Sequence, residues 1–145
     1  MDKINFYAIG DNYKRKQFFE TNNLNIINVI SNLSYIGTNV QINKGTFIGN
    51  YCNIGAEVKI GLNCIINTGC VIEHQSVIGD YCHISVNSTI CGKVLIGECV
   101  FVGAGATIID NIKICSNVVI GAGATVINDI NEPGVYVGTP ARRIK

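Results

Sequence analysis

The sequence predicts an all-β fold, a solenoid of short parallel strands wound as a triangular prism. Three observations predict it. Ile or Val recurs every six residues from Ile36 to Val126, at sixteen positions with no insertion. The next residue is Gly in eight of the sixteen, among them Gly37, Gly55, Gly79, Gly97 and Gly121. Four positions after each Ile or Val stands a small or medium side chain, running from Val40, Thr46 and Cys52 to Ala124 and Ile130. A period of six suits neither an amphipathic helix nor an alternating strand. It suits a chain that turns a corner every six residues, so that three sides close an eighteen-residue coil. The β-branched residue points into the interior and the small residue fills the corner, while glycine gives the turn its backbone freedom. Stacked coils lie ~4.8 Å apart, and sixteen hexads make about five of them, enough for a stable repeat. Leu24 and Ile30 keep the same step, so the first coil is expected to begin near Leu24.

The remaining elements follow in order. Ile4 to Ile9 reads as a strand, Gly10-Asp11-Asn12 as a turn, and Tyr13 to Thr21 as a short helix that Asn22-Asn23 breaks. This unit is too small to stand alone and is expected to pack on the first coil as a cap. The organisation is therefore a shortened N-terminal α/β cap over 1–23, a β-helix over 24–131 and a C-terminal tail over 132–145, opened by the turn Glu132-Pro133-Gly134. Four of the seven cysteines, Cys52, Cys64, Cys70 and Cys82, fall at the small inward position and read as core side chains. Cys91, Cys99 and Cys115 fall elsewhere in the hexad, where one of them is expected to be exposed.

Composition narrows the function. The 145 residues carry 48% hydrophobic and 14% charged side chains, which describes a packed domain. A formal charge of +1 provides no field to gather nucleic acid or an anionic membrane. No run of eighteen apolar residues suggests a membrane span, and Met1 to Asn5 does not open a signal peptide. An odd cysteine count without a CxxC pair argues against a disulfide scaffold or a zinc ribbon, and for reduced thiols and a cytoplasmic location. Seven of the eleven basic residues lie in the two ends. A phosphorylated ligand would thus be held by an end, either by Arg142, Arg143 and Lys145 or at the N-terminus of the helix after Gly10, Asp11 and Asn12.

The candidate chemistry centres on His74. It is the third residue of its hexad, so it points away from the core, and polar Asn67, Glu73, Gln75 and His83 surround it in an otherwise apolar repeat. His74 and His83 are nine residues apart, half a coil, and should lie on different faces of one prism. Two prisms side by side can bring His74 of one against His83 of the next, a head-to-tail contact that closes as a ring. The triangular section favours a homotrimer. Gly92 follows His74 by eighteen residues, so it stacks directly above, and its N–H is a candidate oxyanion donor.

These hexads resemble the left-handed β-helix of the hexapeptide-repeat acyltransferases. Asn67-Thr68, Val71-Ile72-Glu73-His74, Ile78-Gly79-Asp80 and His83-Ile84 are similar to the sugar O- and N-acetyltransferases, including those that acetylate UDP-4-amino-sugars on the bacillosamine pathway and relatives linked to sialic acid. The ending Val137-Gly138-Thr139-Pro140-Ala141-Arg142 resembles the ending of the same group. The resemblance implies an acetyl-CoA-dependent, metal-free homotrimer acting on a sugar, with pantetheine in the cleft between prisms. It implies His74 as general base, Asn67 and His83 in the acceptor pocket, the Gly92 amide at the thioester oxygen, and Arg142 and Arg143 near the adenosine end of the cofactor.

Two departures stand out. The group commonly carries Asp or Glu directly after the histidine, where a carboxylate orients the imidazole and stabilises its cation. Here Gln75 holds that place, with Glu73 on the other side. Relatives also carry a longer N-terminal nucleotide-sugar domain, of which this chain is expected to keep only the final strand-turn-helix. Other readings are a non-catalytic binding solenoid and a serine-type O-acetyltransferase. A γ-class carbonic anhydrase needs three histidines, and this chain has two.

Overall fold

The computed structural model describes residues 5–6, 8–22 and 25–145. Within them the chain winds as a left-handed parallel β-helix with one short helix and a terminal hairpin. The first face of the prism stacks Val29–Ile30, Phe47–Ile48, Ile65–Ile66, His83–Ile84, Phe101–Val102, Val118–Ile120 and Gly134–Val137. The second face runs from Tyr35–Ile36 to Thr125–Val126, and the third from Gln41–Ile42 to Lys113–Ile114. Up to Val126, partners along the faces are eighteen residues apart: His83 lies between Ile65 and Phe101, and Thr89 between Val71 and Thr107.

The isoleucine column builds the core. Ile54, Ile66, Ile72, Ile84, Ile90, Ile108 and Ile120 are wholly buried, and full burial of one such side chain is worth about 1.5–3 kcal/mol. Cys52, Cys64, Cys70 and Cys82 are buried among them, as expected. Cys99 is buried too, while Cys91 and Cys115 are half-buried, and all seven cysteines are free. Burial pushes the Cys64 thiol up to about 12 and raises that of Cys82, so both are inert packing groups at neutral pH.

The corners correct the role given to glycine. From Asn39 to Gly123 every hexad places its fourth residue in the left-handed region, with φ between 51° and 76°. Eleven of these fifteen residues are not glycine. The glycines that follow the isoleucines have no such φ; they are needed for space. A Cβ on Gly79 would lie 2.6 Å from the backbone of Gly97, and one on Gly103 2.5 Å from the Ala122 nitrogen. Close coil-on-coil approach, rather than torsional freedom, selects glycine there.

The N-terminal unit also departs from expectation. The helix α1 spans Asn12–Thr21, with Asp11 as N-cap. It does not cover the first coil. It lies along the corner between the third and first faces, where Asn63, Tyr81, Cys99 and Asn117 stack over four coils. Tyr13 donates to Asn117 Oδ1 at 3.2 Å, Lys16 pairs with Glu98, and the Phe19 ring meets Tyr81 edge-on at 5.8 Å. Arg15, wholly buried, donates to backbone carbonyls of that corner. The segment read as a strand contributes one bridge, Asn5 with Ile26; its Ile4 and Tyr7, like Leu24, lie outside the described residues. Ile30, at the open end of the stack, is 41% exposed.

The tail is ordered into the solenoid. Gly134–Val137 adds in parallel to Val118–Ile120, and Arg142–Arg143 turns back antiparallel on it.

The left-handed corners give a stability prediction. Tyr51 is 68% exposed at φ 58°, a conformation that asparagine tolerates and other side chains resist by about 1–2 kcal/mol. Tyr51→Asn should therefore raise the thermal unfolding midpoint, and a lowered midpoint in a calorimetric scan would contradict this account of the corner.

Candidate active site

His74 stands at the corner between the second and third faces, in a stack formed by Ala56, His74, Gly92 and Asp110. Two backbone bonds hold its coil: Gln75 N–H to Ala56 C=O and Lys93 N–H to His74 C=O, both at 2.9 Å. The imidazole is exposed and lies over Gly92, where a Cβ would come within 2.8 Å of Nε2 and 2.9 Å of Cε1. The missing side chain at Gly92 is thus the space the ring occupies. Gly92 itself is buried, and among the described residues its N–H has no hydrogen-bond partner. The expected stacking of His74 and Gly92 is the observed one.

The neighbours of His74 do not clamp it. Glu73 and Gln75 are exposed, and among the described residues neither hydrogen-bonds to the ring. Gln75 Nε2 instead donates to Glu57 Oε2 at 3.0 Å, one coil away. This brings a carboxylate beside Gln75 that the linear sequence placed far off. Cys91, one coil above Glu73, has its thiol raised by burial and then by Asp110 and Glu73. These influences keep it protonated, so it is no rival nucleophile.

A second cluster forms on the first face, opposite that corner. His83, Asn67 and Gly10 line a cleft of about 260 Å³ with Phe6, Ala8, Phe47 and Ile65. Asn67 Oδ1 accepts the Thr68 N–H at 2.8 Å, which turns Asn67 Nδ2 towards His83 Nε2 at 3.4 Å. His83 Nε2 therefore accepts, and Nδ1 carries the proton that faces the Gly10 carbonyl at 3.3 Å. The ring packs edge-on against Phe101 at 5.1 Å. Burial lowers the pKa of His83, the Gly10 carbonyl opposes this, and the Arg15 cation lowers it further. The ring is neutral at pH 7.

The other expected site residues are placed as follows. Asp11 accepts the Lys14 N–H at 2.8 Å, so a first-turn donor of α1 is already paired. Asn12 is buried, donates to Val100 C=O at 3.1 Å and accepts from Arg15 at 2.8 Å. With Gly10 they line a neighbouring cleft that reaches Tyr13, Phe101 and Val119. Arg143 is tied to Glu132 and the Pro133 carbonyl, both at 3.0 Å, whereas the side chains of Arg142 and Lys145 are exposed. Arg142 follows the turn from Gly138 to Ala141 that is bonded to Thr125, about four coils beyond His74, or roughly 19 Å along the axis at ~4.8 Å per coil. Among the described residues no group of His, Cys, Asp and Glu is arranged to hold a metal ion, and no helix is long and apolar enough to cross a membrane.

Sequence reasoning missed the floor of the cleft, although Phe47, Ile65, His83 and Phe101 recur at eighteen-residue steps and form one column. It also missed Arg15 and Glu57, whose partners come from distant coils.

An exposed imidazole thus stands beside an unpaired amide on a scaffold of hexapeptide coils. The family pattern described as bacterial transferase hexapeptide (six repeats) matches residues 93–128. The chain is similar to PerB from Caulobacter crescentus, a perosamine N-acetyltransferase crystallised with CoA and GDP-perosamine. Identity is 30% and the TM-score 0.96, over 99% of this chain and 70% of that one. It is also similar to the acetyltransferase domain of PglB from Neisseria gonorrhoeae in complex with acetyl coenzyme A, at 25% identity and a TM-score of 0.93, over 96% and 69% of the two chains. WeeI from Acinetobacter baumannii shares the fold at 22% identity and a TM-score of 0.89, over 99% and 71%. No curated protein matches the sequence. The chain belongs to the hexapeptide-repeat acyltransferases, in their group of sugar acetyltransferases.

Two predictions follow from this geometry. Gly92→Ala places a methyl where the His74 ring lies; the ring can swing away, so folding should persist while kcat/KM falls by about 10²-fold. Steady-state kinetics beside a thermal melt checks this, and unchanged kcat/KM would refute it. His83 titrates lower in the folded chain than when unfolded. Its contribution to stability is therefore full above about pH 6.5 and is lost as pH falls through the folded value. Melts of His83→Gln should fall less steeply than wild type between neutral and acid pH; parallel curves would contradict the assignment.

Proposed function

We propose that this chain transfers the acetyl group of acetyl-CoA to the amine of a nucleotide-linked sugar, with His74 as general base. The single observation that carries this is the His74 imidazole seated in the side-chain gap of Gly92, beside an unpaired N–H. His74 takes the proton of the acceptor nitrogen as that nitrogen attacks the thioester carbonyl. The Gly92 N–H receives the oxyanion of the tetrahedral intermediate. Collapse of the intermediate releases the coenzyme A thiol. Support for an amine on a nucleotide sugar comes from the 30% identical relative crystallised with GDP-perosamine.

The acceptor cleft is read as the Asn67–His83 cluster. His74 and that cluster lie on opposite sides of one prism, so the reading requires His74 of one copy to meet the cleft of the next. Three prisms closing head to tail give three such sites. Arg142 and Lys145, exposed at the far end, suit the phosphorylated end of coenzyme A. Acetyl-CoA as donor and seven free thiols suit the cytoplasm.

The test is thiol release from acetyl-CoA against a panel of 4-amino nucleotide sugars, with light scattering on the same sample. Turnover with at least one panel member, a mass of three subunits, and loss of turnover by about 10³-fold or more in a folded His74→Ala variant are expected. A His74→Ala variant with wild-type activity, or a monomeric active enzyme, would overturn the respective part.

A further inference from the structure

Arg15 is the most confined charge among the described residues. It is wholly buried, and no carboxylate pairs with it there. Burial alone pushes its pKa down. A buried cation without a counter-ion is a poor way to anchor a helix, because an apolar side chain of similar length would fill the same corner without desolvating a charge. What only a guanidinium supplies is a planar fork of five N–H donors. Here every edge of that fork is used. Nε donates to Asn63 C=O at 2.8 Å, Nη1 to Ile9 C=O at 2.8 Å and Gly10 C=O at 3.2 Å, and Nη2 to Asn12 Oδ1 at 2.8 Å, Tyr81 C=O at 2.9 Å and Cys82 C=O at 3.2 Å.

The choice of carbonyls matters more than their number. Cys82 directly precedes His83, and Gly10 is the residue whose carbonyl faces His83 Nδ1. One guanidinium therefore grips both sides of the His83–Gly10 contact: the solenoid strand that carries the ring, and the crossing segment that supplies its acceptor. We infer that Arg15 is a positioning residue of the acceptor cleft, fixing the Ile9–Gly10 segment so that His83 is held as the Nδ1–H tautomer, with Nε2 as the acceptor that faces Asn67. This deepens the function proposed above and rests on its assignment of the cleft.

The surroundings of His83 agree. Ile65 and Phe101 flank the ring on the adjacent coils, Asn67 faces Nε2, and the charge acting on the ring is that of Arg15. Were the ring protonated, or flipped to the Nε2–H tautomer, it would present a proton to the Asn67 amide nitrogen. Asn67 cannot turn its oxygen inward without giving up the Thr68 N–H. Gly10 and Arg15 together thus hold the cleft in one hydrogen-bonding polarity.

The test reads the ring directly. Long-range ¹⁵N–¹H correlation spectra of the full chain should show wild-type His83 as the Nδ1–H tautomer. In Arg15→Met the tautomers should mix and the His83 titration midpoint should rise by about half a pH unit or more. The acceptor KM should rise about tenfold, with the KM for acetyl-CoA within about twofold of wild type. A wild-type ring protonated at Nε2, or an Arg15→Met ring unchanged in tautomer and midpoint, overturns the inference. If Arg15→Met does not fold, Arg15→Lys keeps a cation but loses the fork; mixed tautomers are then expected, and an unchanged ring overturns the inference. Because the spectra need no substrate, the two ideas separate. A shifted tautomer with an unaltered acceptor KM upholds the coupling of Arg15 to His83 and counts against the cleft as the acceptor site.

Discussion

The packing of one isoleucine column against itself is the constraint on which the rest depends. Each inward Ile or Val sits on the Ile or Val eighteen residues before it, and the interior of the prism has room for little else. The in-register stack fixes which residues share a corner, because a slip of one residue would turn every inward side chain outward. Once Ile72 lies under Ile90 and Ile90 under Ile108, His74 must lie under Gly92 and Gly92 under Asp110. The site is therefore a product of the core register.

Much of this was legible because an eighteen-residue coil reduces spatial neighbours to arithmetic. The buried cysteines, the outward His74 and its seat on Gly92 all follow from counting. What the count did not reveal depends on other physics. The left-handed corner residue is set by chain geometry, which imposes that conformation on Asn, Gln, Tyr, Lys and Cys in turn, at a cost for all but Asn; glycine marked the points of close backbone approach. Arg15 reads on paper as one of three successive basic residues on a short helix. Its burial depends on carbonyls at Asn63, Tyr81 and Cys82, and backbone acceptors leave no trace in sequence. The course of α1 along a corner was hidden for the same reason. The paired Gln75 and Glu57 were visible as an eighteen-residue step, but nothing in the residue types said that they would bond.

The two histidines show how one fold gives like side chains unlike properties. His74 projects from a corner into solvent, with no hydrogen-bond partner among the described residues. His83 is enclosed by Ile65, Phe101, Asn67 and Gly10, and both its nitrogens are engaged. Burial and a neighbouring cation hold it neutral. A ring so fixed is suited to orienting a ligand and ill suited to shuttling protons. This difference in environment is the physical basis for giving the two residues separate roles.

A prism of this kind has flat faces and convex corners, and neither encloses a small molecule. Open clefts form where the N-terminal segment crosses the first face and, on the third face, beside Glu57 and Gln75. His74 stands on a convex edge, and among the described residues no side chain bonds to it. Acyl transfer needs water kept from the thioester and two reactants held together, which a convex edge cannot do alone. In the proposed trimer, a second prism laid against that edge would supply the missing wall. If the wall is the first face of a neighbour, it carries Asn67 and His83 with it, and the base and the acceptor cleft complete one another. The geometry that makes a solenoid poor at forming pockets is thus the geometry that makes shared pockets its natural solution.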